Sequence, residues 1–413
     1  MPGHVKNPVR SLGVLTGGGD VPGLNVAIKA LVYRAEPLGI RVVGIRAGWE
    51  GITFLNRSLD KSEIIFREDD RSSWKNGYIM PLSRLNTRDI DRLGGTILHS
   101  TRYSPLGTRV ANLPEHLKSY GEGKQPHERV DLTQEVIANM DHLGLDGLIV
   151  LGGDGTLSYG AKLAAAGIPV WAIPKTMDND VPGTEYSIGF QTAISRAAEF
   201  INRVRSTVSS HRQTAIFRLF GRDAGFTALE TAVVTWADRL VIPEVPIDIE
   251  RLSRLVIRDR EHNPKNYSLV LASEGVVLDR ANESNEHSDP FVHKKKANVA
   301  EILAEQLSER IPEVRFLPID LTYVLRSGEP EVYDKHASIY FANVIMNSVA
   351  EGMSGVMAAF HNGEFICTDI PSKAIPARRV NPTDYHEGRY RPRFECIKGR
   401  YRSQEDLTQI SLA

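Results

Sequence analysis

Short apolar runs alternate with longer stretches at helical spacing along most of the chain. Residues 11–16 are apolar at Leu12, Val14 and Leu15 and run into Gly17-Gly18-Gly19-Asp20, then Pro22-Gly23-Leu24-Asn25. Val26, Ala27, Ala30, Leu31 and Val32 follow at helical spacing, so the pattern predicts strand, glycine turn, helix. Residues 40–45 form a second strand pattern. Gly94-Gly95-Thr96-Ile97-Leu98 reads as a strand entry or a tight turn leading to Ser100-Thr101-Arg102. An amphipathic helix is expected over 132–143. Residues 147–151, wholly apolar, have the character of a parallel strand buried on both faces. That run ends in Gly152-Gly153-Asp154-Gly155-Thr156, and helical spacing resumes over 157–166. Further strands are expected at 170–173, 215–220 and 268–272, with helices over 193–205 and from 226 to Trp236.

Alternation of this kind predicts an α/β fold with mainly parallel sheets. The 413 residues exceed one comfortable sheet, so two Rossmann-like three-layer lobes are expected, with a site in the cleft between them. The proposed division gives 1–190 with 325–370 to one lobe and 191–324 with 371–413 to the other. Residues 103–131 are polar and poorly periodic and read as an insertion; 279–298 read as a mobile surface loop.

Composition narrows the class. Lys and Arg number 50 against 51 Asp and Glu, a net charge of −1, which argues against nucleic-acid binding by bulk charge. The chain has no apolar run of membrane-spanning length and no signal-like start, so a soluble cytoplasmic enzyme is expected. Cys367 and Cys396 are too few for a disulfide scaffold or zinc ribbon and read as inert. Lys294-Lys295-Lys296 with His287 and His293 lacks a metal-site pattern.

The chemistry-bearing residues fall at predicted strand ends, where open α/β sheets bind ligands. Glycine lets main-chain amides approach phosphate oxygens, and a following helix start adds a favourable dipole. Neither glycine turn has the dinucleotide or P-loop spacing. Asp154 among such amides would repel a phosphate unless a cation lay between them, which makes it a candidate Mg²⁺ ligand; a helix-capping Asp is the plainer reading. In Thr176-Met177-Asp178-Asn179-Asp180, two nearby carboxylates allow one to act as base while the other orients a partner or metal; an Asx-rich turn is the alternative.

Together these segments resemble the A-type, bacterial-type 6-phosphofructokinase family. The resemblance rests on Gly18-Gly19-Asp20 with Pro22-Gly23-Leu24-Asn25, on Gly152 to Thr156, and on Pro174-Lys175-Thr176-Met177-Asp178-Asn179-Asp180. Phe220-Gly221-Arg222 stands where the family has Met-Gly-Arg, and Ser273-Glu274-Gly275 resembles its Glu-Gly turn. Order and spacing agree over residues 12–337. The resemblance implies Mg²⁺-dependent phosphorylation of the 1-hydroxyl of fructose 6-phosphate, with ATP or pyrophosphate as donor. By that likeness Asp178 is the general base, with Thr176, Asp180 and Arg222 assisting at the transferring group. Gly19, Arg102, Gly153, Asp154, Gly155, Thr156 and Lys175 hold the donor, and Asp154 supports Mg²⁺. Phe220, Gly221, Arg222, Glu274, Tyr323 and Arg326 join Thr176 and Asp178 at the sugar phosphate. Cross-subunit arginines in the family imply a homodimer or homotetramer.

Two positions carry the donor choice in the family. Gly155 leaves space for a nucleotide α-phosphate, and Lys175 suits a terminal phosphate of either donor, so ATP is favoured over pyrophosphate. The pattern as a whole looks more like the mixed ATP/pyrophosphate group. Trp49 falls where an adenine-stacking aromatic would lie and equally suits a core position, while Tyr159 stands where a small residue is usual near the base. The chain departs from the family at Ser209-Ser210-His211-Arg212-Gln213, at Leu325-Arg326-Ser327-Gly328 and around Arg315. A related acceptor such as sedoheptulose 7-phosphate therefore stays open. Lys29 and Arg205 stand at effector-site positions where Tyr33 replaces a further basic residue; solvated helix faces are the simpler reading. The competing classes are a diacylglycerol- or NAD-kinase-like enzyme, which shares only the Gly-Gly-Asp-Gly-Thr turn, and a silent partner subunit.

Overall fold

The structure is a computed structural model, described here over residues 3–5, 8–278 and 298–394. The chain divides into two compact units. Among the described residues, the first holds everything up to 199 together with 321–378, and the second holds 200–278, 298–320 and 379–394.

The first unit is built on a seven-stranded sheet. Its strands are β1 (Ser11–Thr16), β2 (Arg41–Ile45), β3 (Ile79–Leu82), β4 (Gly147–Gly152) and β5 (Val170–Pro174). The second unit contributes β6 (Thr214–Leu219), β7 (Arg239–Val241), β8 (Ser268–Ser273) and β9 (Phe316–Asp320). The chain then returns to the first sheet with β10 (Val356–His361) and β11 (Glu364–Asp369). The seven strands lie in the order β11-β10-β5-β4-β1-β2-β3. All neighbours are parallel except the outer pairs β2/β3 and β10/β11. Every residue of β1, β4 and β5 is buried, as expected of parallel strands covered on both faces. The second unit's four strands, β7-β8-β6-β9, are all parallel.

Parallel neighbours need a long crossover, usually a helix: α1 (Leu24–Ala35) joins β1 to β2 and α4 (Asp154–Ala165) joins β4 to β5, while α2 (Gly48–Phe54) and α3 (Thr133–Leu143) lie on the path from β2 to β4. Helix α5 (Phe190–Ser210) follows β5 and is longer than the 193–205 expected. The second unit adds α6 (Phe226–Thr235), α7 (Ile249–Glu261) and α8 (Val299–Arg310), and α9 (Val332–Ala350) precedes β10. Among the described residues, no helix is long and apolar enough to cross a membrane.

Residues 94–98 resolve as a turn and not a strand, and only an isolated bridge joins Thr101 to Gly17. Asn25, buried at the start of α1, explains why: its Oδ1 accepts from Ile97 N at 2.8 Å and its Nδ2 donates to Leu93 O at 3.2 Å. The insertion 103–131 packs Leu113, Leu117 and Val130 into a small core with Leu132 just beyond it, closed by a ribbon pairing Thr108–Arg109 with Arg129–Val130. The loop expected over 279–298, the Lys294–Lys296 group with His287 and His293, and Cys396 lie outside the described residues, Asn298 excepted. Cys367 is free and half-buried.

Trp49 is a core residue, only 2% exposed, and its Nε1 donates to Thr156 O at 3.3 Å. Tyr159, also 2% exposed, meets it edge-on with ring centroids 4.7 Å apart. The two aromatics fill one layer of the first unit's core together, so neither presents a free face at the strand ends. Lys29 is paired with Asp91 at 2.7 Å, which makes it part of a surface ion pair.

Candidate functional site

In the first unit, β1, β4 and β5 are adjacent and parallel, so their carboxyl ends open onto one edge. The two glycine turns meet there. A Cβ added at Gly17 or at Gly152 would overlap the Thr156 side chain, so the approach of the turns depends on both glycines. Main-chain bonds lock them: Gly17 N donates to Leu151 O at 2.9 Å, Gly18 N to Thr101 O at 2.8 Å, and Lys175 N to Gly152 O at 2.9 Å.

Cations converge on the Gly18–Gly19 turn. A Cβ built on Gly19 would stand 2.8 Å from Arg326 Nη1 and 3.6 Å from Arg102 Nη2. Arg326 also lies 3.7 Å from Asp20 Oδ1. Lys175, just 3% exposed, donates from Nζ to Gly19 O. Burial pushes its ammonium down from the usual 10.5 to about 8. The Arg326 cation adds to that effect, Asp20 opposes it, and Arg102 and Asp178 act more weakly in the same opposed senses. Arg326 thus faces the Gly19–Asp20 turn, whereas the resemblance implies contact with the sugar's phosphate. Tyr323 on the same short helix is 79% exposed, 5.5 Å from the Arg326 guanidinium.

Helix α4 starts directly from the second turn. Gly153 is its N-cap, with Thr156 N donating back to Gly153 O at 3.0 Å, and Asp154 occupies the first helical position without a side-chain capping bond. Asp154 is therefore not the capping Asp of the plainer sequence reading. It is an exposed carboxylate at the positive end of a 12-residue helix. Among the described residues, apart from its own helix backbone and chain neighbours, nothing lies within 4 Å of where a Gly155 Cβ would be, so the space beside it is open.

Beyond β5 the chain turns sharply at Thr176–Asp180. Thr176 Oγ1 accepts from Asp178 N at 3.1 Å. Asn179 adopts φ +52°, a left-handed conformation that Asn tolerates better than most residues. Its Nδ2 donates to Glu185 O at 3.0 Å. Because the segment is a turn, strand alternation does not place Asp178 and Asp180 on one face; both are half-buried. The chain beyond is anchored by Asp334, fully buried, which accepts from Tyr186 OH at 2.6 Å, Gly189 N at 2.6 Å and Thr192 N at 2.8 Å.

The second unit carries the remaining predicted residues at the carboxyl ends of β6 and β8. Gly221, at φ +125°, is held by Ser273 Oγ, which donates to Gly221 O at 2.6 Å; a Cβ there would overlap that hydroxyl. Phe220 is buried, and Arg222 is exposed, its Nε donating to Asp223 Oδ2 at 2.9 Å. Glu274 N donates to Leu219 O at 2.9 Å, which fixes its backbone beside the same turn. Sequence reasoning missed the residue that orients the Glu274 side chain. Arg218 on β6 donates from Nη2 to Glu274 Oε2 at 3.2 Å and from Nη1 to Asp320 Oδ2 at 2.9 Å. The signal was present, since Arg218 is a lone cation within the otherwise apolar end of the buried strand Thr214–Leu219.

The first unit thus brings together Gly19, Arg102, the Gly152–Thr156 turn, Lys175 and Arg326, with Asp178 near enough to influence Lys175. The second brings together Gly221 and Glu274, with Phe220 and Arg222 on the same turn. Amide dipoles and cations at one edge can hold an anion; a fixed carboxylate at the other can accept from hydroxyls.

Comparison with known proteins gives this arrangement a context. The sequence model described as "Phosphofructokinase" matches residues 11–349. A pyrophosphate–fructose 6-phosphate 1-phosphotransferase of Dictyoglomus thermophilum is 30% identical over 377 residues, covering 91% of this chain and 96% of the relative. An ATP-dependent 6-phosphofructokinase of Streptococcus pyogenes is 30% identical over 365 residues, covering 88% of each. Among solved structures, a pyrophosphate-dependent phosphofructokinase from Nitrosospira multiformis superposes with a TM-score of 0.70 at 14% identity, over 94% of this chain and 90% of that one, a likeness of fold.

Proposed function

The chain belongs to the phosphofructokinase family of phosphotransferases, and from that premise we propose that it transfers a phosphoryl group to the 1-hydroxyl of fructose 6-phosphate, with ATP the favoured donor. The observation that carries the donor side is the convergence of Lys175, Arg102 and Arg326 on the Gly18–Gly19 turn beside an open Gly155. Phosphoryl transfer is mostly positioning and charge stabilisation, so amides, cations and one base suffice.

In this reading the first unit handles the donor. The turn amides and the N-terminus of α4 bind its phosphates, and Lys175 holds the terminal one. Asp178 takes the proton of the 1-hydroxyl as that oxygen bonds to phosphorus and the bond to the donor's leaving oxygen breaks. Thr176 orients Asp178 through its amide, Asp180 supports the same turn, and Arg222 neutralises charge on the transferring group. Glu274 accepts from sugar hydroxyls; Tyr323 and Arg326 serve the sugar's phosphate, Arg326 reaching it from the Gly19–Asp20 turn. No group of three metal-ligating side chains forms among the described residues, so a cation held by protein alone does not fit. A Mg²⁺ shared with donor phosphates and water does fit, because Asp154 is an exposed carboxylate at the phosphate-binding turn. Bound there, Mg²⁺ would neutralise the donor's phosphate oxygens. We further propose a cytoplasmic homodimer or homotetramer, as the family's shared arginines imply.

Pyrophosphate is the second reading, favoured by one observation: Trp49 is sealed in the core and offers no face to an adenine. Parallel assays of the purified chain with fructose 6-phosphate, Mg²⁺ and either ATP or pyrophosphate test both. Faster turnover with ATP is expected. Turnover with pyrophosphate alone would reverse the donor, and no phosphorylation of fructose 6-phosphate with either would overturn the function.

A further inference from the structure

Arg378 lies beyond the residues matched by the family model and was not among the residues singled out from the sequence. It closes the first unit's share of the chain. Its backbone N donates to Asp180 O at 2.8 Å, and its Nη1 donates to Asn179 O at 3.1 Å. One residue therefore grips two consecutive carbonyls of the acidic turn. On the other side of Asp178, Thr176 Oγ1 holds the Asp178 amide. Met177 and Asn179, the two neighbours of Asp178, are both buried, so the turn has little freedom except to rotate its peptide planes. Those planes are what Arg378 fixes.

We infer that Arg378 is a positioning residue for Asp178: with its main chain already tied to the Asp180 carbonyl, its guanidinium holds the Asn179 carbonyl, keeps Asn179 left-handed and aims the Asp178 carboxylate at the acceptor hydroxyl. The inference rests on the reading of Asp178 as the base. Its physical basis is twofold. A non-glycine residue at positive φ is held there by its surroundings. A charged donor makes a stronger bond to a carbonyl than a neutral one. The guanidinium is itself partly withdrawn from water, a cost offset by its carbonyl contacts and by the nearby Glu185 and Asp180 carboxylates. A misplacement of about 1 Å in a reacting group can cost about 100-fold in rate. An arginine that grips the main chain beside the base can thus govern turnover by aiming it.

The test compares Arg378→Met, Arg378→Lys, Asp178→Asn and the Arg378→Met/Asp178→Asn double variant, each with its thermal midpoint. Arg378→Met should lower kcat about 10- to 100-fold while KM for fructose 6-phosphate moves less than about threefold. Arg378→Lys should recover part of the loss, since an ammonium can still donate to one carbonyl. On the Asp178→Asn background Arg378→Met should cost nothing further, because the two act as a unit. Parent-like kcat in folded Arg378→Met would overturn the inference, as would an equal loss on both backgrounds. If Arg378→Met does not fold, Arg378→Gln, which keeps a neutral donor, is read by the same criteria. Parent-like turnover in Asp178→Asn alone would instead remove the base assignment, and the inference with it.

Discussion

The carboxyl ends of the two parallel sheets use the same geometry for different chemistry. In the first unit, Lys175, Arg102 and Arg326 converge on a glycine turn whose nearest carboxylate is Asp20. Positive charge exceeds negative at that turn, and burial lowers the pKa of the Lys175 ammonium to about 8. In the second unit one cation, Arg218, is bracketed by two carboxylates, Glu274 and Asp320, so negative charge exceeds positive there. A cationic edge attracts an anion. An acidic edge whose carboxylates are held by an arginine offers oriented acceptors, the property that recognition of sugar hydroxyls needs. The fold supplies the edge, and the local balance of charge decides what it binds.

Three experiments strain this comparison. The largest effect is expected from Asp178→Asn, which removes the proton acceptor yet keeps size and most hydrogen bonding. Turnover should fall by about 10²- to 10⁴-fold with KM for fructose 6-phosphate little changed, measured by steady-state kinetics. A rise in KM without loss of kcat would make Asp178 a binding residue.

The second concerns the buried cation. Burial disfavours the charged form, so Lys175 is protonated below about pH 8 and neutral above it, where an exposed lysine would stay charged to about 10.5. Donor KM should therefore climb as pH rises through about 8, by about fivefold over the following unit of pH. Lys175→Met should show a high donor KM at every pH without that climb. An unchanged climb in Lys175→Met would assign the titration to another group.

The smallest effect is expected in the second unit. Arg218→Met leaves Glu274 charged and unoriented, so KM for fructose 6-phosphate should rise about tenfold with kcat within about threefold. An equal effect on donor KM would contradict the separate roles given to the two edges.

Much of this was legible along the chain. Strands β1, β4 and β5 are short apolar runs because both faces are covered, and each stops at glycine or proline, so their ends and the residues beyond them could be read directly. The two glycine turns, Asp154 and the Thr176–Asp180 segment followed. Less visible were features without periodicity. The insertion 103–131 looked merely polar yet buries Leu113, Leu117 and Val130 in a small core with Leu132. Residues 94–98 could have been strand or turn, and the choice fell to the buried Asn25.

Local chemistry along the chain was enough to specify the alternating α/β architecture, the glycines at the turns and the types of groups placed there, because periodicity and turn propensity act over a few residues. Which distant residues share those turns was decided by folding alone. Arg326 at Gly19, Arg378 on the Asn179 and Asp180 carbonyls, the burial of Trp49 against Tyr159 and the pairing of Arg218 with Glu274 and Asp320 all join segments far apart in the chain. Burial, and with it the lowered pKa of Lys175, depends on everything packed around a group, and no run of neighbours encodes that.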